Sequence, residues 1–311
     1  MANYLYGVVW NDKFRFKIII EETEQDQAQS QTKEVTAYTF YWQEGFAFDY
    51  TFTLIDTSGF GGTSGIMADK EIRCKMEAFF SRRGPGSIEK LDGIGFVIQA
   101  SETRLTPTQR YIFDSIQTLF GKDVEPIFRL MMTFADGQPP KALDAAKAAN
   151  IPHSSIYKFN NSTVFPVRHE GEDDDDFNEL FWKMGMKSFN KFFISLASTH
   201  PVALQMTKEV LEKRRKLETF INGLQPQITA EHLKKRYEDG MKGEMSAKTI
   251  IEKLQKEYDY EREQVSSMIR EAHSCKKKLD EIALKPDPLS ALDYIDLLIQ
   301  SEIQRKQPRY L

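Results

Sequence analysis

Cysteine is nearly absent: Cys74 and Cys275 are the only two in 311 residues. Two thiols so far apart exclude a disulfide framework, and the expectation is a reducing, cytoplasmic setting in which each is an ordinary buried or surface thiol. No stretch approaches the roughly 18 consecutive apolar residues that a membrane-crossing helix needs. The start MANYLYGVVW has neither the basic segment nor the long apolar run of an export signal. Histidine is sparse as well, and His153, His169, His200, His232 and His273 show no metal-ligand spacing. No serine or cysteine sits in an elbow-like nucleophile motif. Charge of one sign is not in excess either. The net charge is -4, with 21 Lys and Arg against 27 Asp and Glu in residues 1–200 and 21 against 19 thereafter, which excludes a nucleic-acid footprint in either half.

What is present suits one sizeable α/β domain and a second module, given a hydrophobic fraction of 41% and an aromatic fraction of 12%. Met1 to Val9 reads as one or two helical turns, and Phe14 to Ile20 (FRFKIII) as a strand. Glu21 to Lys33 is polar and glutamine-rich, hence a connection. Val35, Ala37, Thr39 and Tyr41 alternate with polar residues, Glu44-Gly45 supplies a turn, and Phe46, Phe48, Tyr50, Phe52 and Leu54 alternate again, predicting a hairpin. Ile66 to Phe80 is helical in pattern. Gly93 to Ala100 reads as a strand buried on both faces, and Ile127 to Thr133 as another buried strand. Thr106-Pro107-Thr108-Gln109 is a capping signal for a helix through Phe120. Pro140 to Asn150 reads as a helix and Ser155 to Phe159 as a short strand. Strand and helix thus alternate, which predicts an α/β fold with a mostly parallel sheet and helices on both faces.

Beyond Phe165 the pattern changes. GEDDDD at Gly171 to Asp176 reads as a solvated loop, and the chain is helical from Phe177 onward. Ala203, Met206, Val210, Lys213, Leu217, Phe220 and Leu224 follow three–four spacing. So do Ile251, Leu254, Tyr258, Glu261, Val265, Met268, Ala272, Cys275, Leu279 and Ile282, predicting an all-α coiled coil or helical hairpin paired within the chain or with a second one. The basic clusters Lys213-Arg214-Arg215-Lys216 and Lys276-Lys277-Lys278 read as solvated faces. Pro286 and Pro288 end the helix, and Leu289 to Ile299 forms a short amphipathic one. The divisions expected are 1–166, 167–200 (acidic loop and helix), 201–285 (helical coiled-coil region) and 286–311 (short helix and tail).

Chemistry is expected at strand ends. Leu54-Ile55-Asp56-Thr57-Ser58-Gly59 closes an apolar strand with a carboxylate and then a glycine, the arrangement that holds Mg²⁺ through water and meets a γ-phosphate with a backbone N–H. A second buried strand ends in Thr133-Phe134-Ala135-Asp136, and a third in Phe159-Asn160-Asn161. Each alone also reads as an ordinary turn.

The order DTSGFGGTSGI, ASETRLTPTQRYIFDSI, TFADGQPP and KFNNS resembles the G domain of immunity-associated, septin-like GTPases of the P-loop TRAFAC class, from about Ser30 to Asn161, with a similar helical continuation. The resemblance implies GTP or GDP with Mg²⁺ as ligands. It implies Thr32, in Ser30-Gln31-Thr32, as the switch contact to Mg²⁺ and γ-phosphate, and Asp56 with Gly59 as the third motif. Asp136 would read the base, with Asn160 and Asn161 as the last base-side motif. It also implies association through G-domain faces or the coiled coil. Phe134 stands where the family pattern has lysine. No G-x-x-x-x-G-K-[ST] occurs, since Gly59 to Gly65 contains no lysine and Gly121-Lys122-Asp123 has no upstream glycine at the required spacing. Charge-assisted hydrogen bonds contribute roughly 1.5–3 kcal/mol each, so three or four missing ones remove about 5–10 kcal/mol, against about 8 kcal/mol for a micromolar ligand. The expectation is a truncated or degenerate G domain without its phosphate loop or first, central strand, in which binding and hydrolysis are impaired; the alternative is a nucleotide-free scaffold acting through its helical tail.

Overall fold

The computed structural model describes residues 1–18, 34–57, 65–101, 107–164, 175–224 and 247–287. The expectations for Glu21–Lys33, Thr106, Leu289–Ile299 and most of the acidic run lie outside them. In chain order the elements are helix α1 (Ala2–Leu5), strands β1 (Thr36–Phe40) and β2 (Phe52–Asp56), helix α2 (Gly65–Phe80), strands β3 (Lys90–Leu91) and β4 (Ile94–Gln99), helix α3 (Pro107–Gln117), strand β5 (Phe128–Thr133), helix α4 (Ala142–Ala148), strand β6 (Ser155–Lys158), helix α5 (Asp175–Ser198), strand β7 (Val202–Ala203) and helices α6 (Gln205–Leu224) and α7 (Ala247–Ile282).

A parallel sheet of order β4-β5-β6 forms the centre, with Phe96 opposite Leu130 and Leu130 opposite Ile156. Helices α3 and α4 make the two crossovers that parallel pairing requires. On one face Phe96, Ile98, Phe128, Leu130 and Met132 pack against Met76 and Phe80 of α2, Phe113 of α3 and Ala142 and Ala146 of α4. The rings of Phe96 and Phe128 stack 5.2 Å apart, and burying one such side chain contributes about 1.5–3 kcal/mol. The sequence ALDAAKA lets α4 lie close to the sheet, because its buried positions are alanines. Asn150, at φ 52, then ends α4 in the left-handed conformation while the Ile151 N–H donates to the Ala146 carbonyl at 3.0 Å.

The opposite face is covered by α5. Phe192 meets Tyr157 edge-on at 5.5 Å, and Phe189 lies 4.5 Å from Phe159. Arg129, 1% exposed in the central strand, points the same way; it donates to the carbonyls of Asp92 and Ile127 and to Thr199 Oγ1 at 2.6 Å, tying the end of α5 to the sheet. This cover stops short of β4, where Gly95, Val97 and Gln99 are exposed along one side. Burial of this strand on both faces is therefore not observed: Val97 is 63% exposed at mid-strand.

β1 and β2 form a separate antiparallel sheet, Thr36 opposite Asp56 and Phe40 opposite Phe52. Its second strand begins later than the alternation from Phe46 predicts. Phe46 and Ala47 instead leave the ladder to meet the amino terminus, the Ala47 N–H donating to the Leu5 carbonyl at 2.8 Å and the Phe46 ring lying edge-on to Tyr6. Ile55 of β2 packs into the first core cluster, whereas Phe52 and Leu54 pack into the cluster under α5. The two faces of β2 thus continue the two faces of the parallel sheet, yet among the described residues no ladder joins β2 to β4. The strand expected over Phe14–Ile20 is not formed in its described part. The Asn3 side chain occupies both backbone groups of Phe16, accepting its N–H at 2.7 Å, and the Arg15 guanidinium lies 4.2 Å from the Trp182 ring on α5.

The helical half pairs with itself. Val210 packs with Leu279, Ile282 and Ala283, Lys278 reaches Glu209, and a Cβ on Gly223 would stand 3.5 Å from the Met268 sulfur, so α6 and α7 run antiparallel. Leu204 and Leu211 also enter the first core cluster, so α6 shares the core of the α/β body. Cys74 on α2 is exposed and Cys275 on α7 is buried. Among the described residues no helix is long and apolar enough to cross a membrane. The basic cluster on α6 is not wholly a solvated face. Arg214 is buried and donates to the Thr118 carbonyl at 2.7 Å and to the carbonyls of Lys285 and Pro286, clamping α3 to the exit of α7. Lys285 adds an ion pair to Asp114 of α3 at 2.8 Å.

Two outcomes follow from these contacts. Arg214→Met strands the buried Thr118 carbonyl and removes the side-chain donor from two half-buried ones, and should lower stability by about 1–3 kcal/mol in urea denaturation, with faster amide exchange at Ala283 and Leu284. The second concerns Lys208, which is buried and paired with Glu89 at 2.7 Å. Hydrogen bonds from Lys208 and then Ser87 hold the Glu89 carboxyl below its ordinary value. Its contribution is present above the usual glutamate range and is lost as pH falls through the depressed value. Glu89→Gln should flatten the decline of the melting temperature between about pH 5 and 3.

Candidate functional site

Parallel pairing brings the carboxyl ends of neighbouring strands out along one edge, where loops can meet. Here the ladders run on past the strands. The Ala100 N–H donates to the Thr133 carbonyl at 2.8 Å, the Phe159 N–H to Met132 at 2.8 Å, and the Ala135 N–H to Phe159 at 3.0 Å. Ala135 and Phe159 are therefore bonded neighbours, and Asp136 and Asn160 are the residues that follow them.

The loop after β5 is held from several sides. Asp136 Oδ1 accepts the Gln138 N–H at 3.0 Å, closing a turn that Gly137 completes at φ 89. Lys158 of β6 donates its Nζ to the Gly137 carbonyl at 2.9 Å and to that of Gln138 at 3.3 Å. Asn160 Nδ2 donates to the Ala135 carbonyl at 3.3 Å. The Asn160 Oδ1 in turn accepts Ser162 Oγ at 2.7 Å and the Ser162 N–H at 3.2 Å, capping the short turn Asn161–Thr163. Asn161 is exposed at the head of that turn.

Of the residues anticipated from sequence, Asp136, Asn160 and Asn161 converge on two bonded loops. Asp56 ends β2 opposite Thr36 in the other sheet. Thr32 and Gly59 lie outside the described residues. The role expected of Asn160 shifts, because both ends of its amide are engaged within the protein and it braces the neighbouring loop. Asp136 is exposed and keeps acceptor capacity beyond its bond to Gln138, enough for two converging N–H donors. Sequence reading missed Lys158, whose place in a strand gave no sign that its ammonium would reach across to a neighbouring loop. It also missed the backbone of Phe134, which stands at φ 52 and is 60% exposed.

The metal side is less complete. Mg²⁺ is usually held by one or two carboxylates with waters and substrate phosphates, and Asp56 is of the right type. Among the described residues, however, no three or more of His, Cys, Asp and Glu gather as a metal site. In comparisons with known proteins the chain matches no family model and no curated sequence.

The brace at Asn160 can be measured. Asn160→Ala removes three side-chain hydrogen bonds and should cost about 1–2 kcal/mol in chemical denaturation, with the Ser162 amide exchanging faster.

Proposed function

We propose that the chain is a member of a GTPase-like lineage with a guanine-facing site at the ends of β5 and β6, and that these 311 residues, which contain no G-x-x-x-x-G-K-[ST], recognise the base weakly. The observation that supports this most directly is the pair of joined loops after β5 and β6, which holds the exposed Asp136 carboxylate on a fixed turn. Guanine offers two N–H groups, N1 and N2, that suit a single carboxylate. The parallel order β4-β5-β6 with helices on both faces agrees with that lineage. Association through the body or the helical hairpin belongs to the same proposal.

The second reading is a scaffold that binds no nucleotide. Its support is that the Asn160 amide, which a base-reading role would leave available, is spent on Ala135 and Ser162. Equilibrium binding of a fluorescent GTP analogue separates the two. The guanine reading expects saturable binding on the order of 10–1,000 µM, displaced by guanosine and not by adenosine, and weakened at least about tenfold by Asp136→Ala. Binding that adenosine displaces equally well, or none at all, leaves the scaffold.

A further inference from the structure

The outward side of α5 is charged differently from the chain as a whole. Residues 9–18 and 177–198 carry six Lys and Arg against two Asp and Glu, a net of +4 within a chain of net -4. Lys183, Lys187 and Lys191 recur at four-residue intervals, so they stand above one another on the side of the helix turned away from Phe192, Phe193 and Leu196. Lys183 pairs with Glu179 at 2.8 Å, whereas Lys187 and Lys191 are exposed and carry no ion pair among the described residues.

Large apolar side chains stand among these ammonium groups. Leu180 and Ile194 lie on the same side of α5, with Phe177 beside them at its start, and all three are more than half exposed. The amino-terminal segment widens the surface along the flank of the helix. It is fastened there by the contacts of Trp10 and Arg15 with Trp182, and by the Tyr4 hydroxyl, which donates to Asn190 Oδ1 at 3.0 Å. From that flank it presents Lys13 and the exposed ring of Phe14, with Phe16 behind it at 5.6 Å. An amphipathic helix keeps its apolar residues on the core-facing stripe; in α5 that stripe is already filled by aromatic residues, and a second apolar set faces water.

Apolar groups set among cations on the convex side of a helix suit a broad surface that is anionic outside and apolar beneath. We infer that this face docks on an anionic lipid bilayer, with α5 lying in the plane of the interface. Leu180, Ile194 and Phe14 enter the acyl boundary, and Lys13, Lys187 and Lys191 meet the headgroups. Lysine stems lie along the apolar residues while their ammonium groups reach the charged layer. A polynucleotide would engage the lysines and leave Leu180 and Ile194 in water. The inner side of α5 stays on the sheet throughout, so docking opens no part of the fold. The surface shares no residue with the loops after β5 and β6 and stands independently of the guanine reading.

The test is sedimentation of the full chain with phosphatidylcholine vesicles, either plain or containing about 30% phosphatidylserine. Binding is expected to the anionic vesicles alone, and to weaken severalfold when added salt shortens the Debye length from about 10 Å to about 3 Å. Each lysine near an anionic leaflet contributes about fivefold, so Lys187→Gln combined with Lys191→Gln should weaken binding roughly 10- to 30-fold. Leu180→Gln combined with Ile194→Gln should weaken it at least about fivefold. All four positions are exposed, so the melting temperature of both variants should match that of the parent chain. Equal binding to plain vesicles, binding to neither kind, or less than a twofold change in the lysine variant overturns the inference. Vesicle binding that ignores the Leu180 and Ile194 changes, with short duplex DNA bound as tightly, would mark a general polyanion surface. A dimer in light scattering that those changes disperse, with vesicles left unbound, would mark a contact between copies. Either result removes the lipid assignment.

Discussion

The two parallel ladders that hold β5 between β4 and β6 are the constraint on which the rest of the molecule depends. Parallel neighbours cannot be joined by a tight turn, so α3 and α4 must cross over, and both strands deliver their following loops to the same edge. That is why Asp136 and Asn160, 24 positions apart in sequence, follow residues bonded to one another. The meeting of the two loops is a consequence of strand direction. Side chains such as Lys158 and Asn160 then only have to reach one loop across.

Direction also explains how the helical half is attached. The carboxyl end of α3 leaves the Thr118 carbonyl without a partner further along the helix, and Arg214 of α6 supplies one while gathering the carbonyls that follow α7. A guanidinium suits this task because it presents five donors in a fixed fork and stays charged when buried. The antiparallel pair α6–α7 is consequently fastened at its base to the α/β body. The bridge between Gly121 and Ala283, with the Leu284 N–H donating to the Phe120 carbonyl, continues the same attachment through the backbone.

On the far side of the sheet the structure is asymmetric. Aromatic residues of α5 cover β5 and β6, and the amino-terminal segment is stapled to α5 by Trp10, Arg15 and Trp182. Both faces of β2 run into the same two clusters that line the parallel sheet, without a ladder to β4 among the described residues. Among the described residues, apolar packing spans this junction where no ladder does. Packing is less directional than a ladder, so β2 carries Asp56 without the register that fixes Asp136 against Asn160.

Local pattern was enough for the three parallel strands, for α2, α3, α4 and the long helices, because periodicity and capping act over a few residues. The order of the three strand-end motifs was legible for the same reason, and it singled out Asp136 and Asn160. What the sequence could not determine were choices made by partners distant in the chain. Asn3 captures Phe16 and removes it from any ladder, Leu5 draws Ala47 out of the hairpin, and Arg214 turns inward from a cluster that reads as solvated. The exposure of Val97 was decided by where α5 ends its cover, and the conformation of Phe134 by bonds from β6. Periodicity records which residues avoid water in an element considered alone; only tertiary structure decides which backbone groups are already satisfied when another segment arrives.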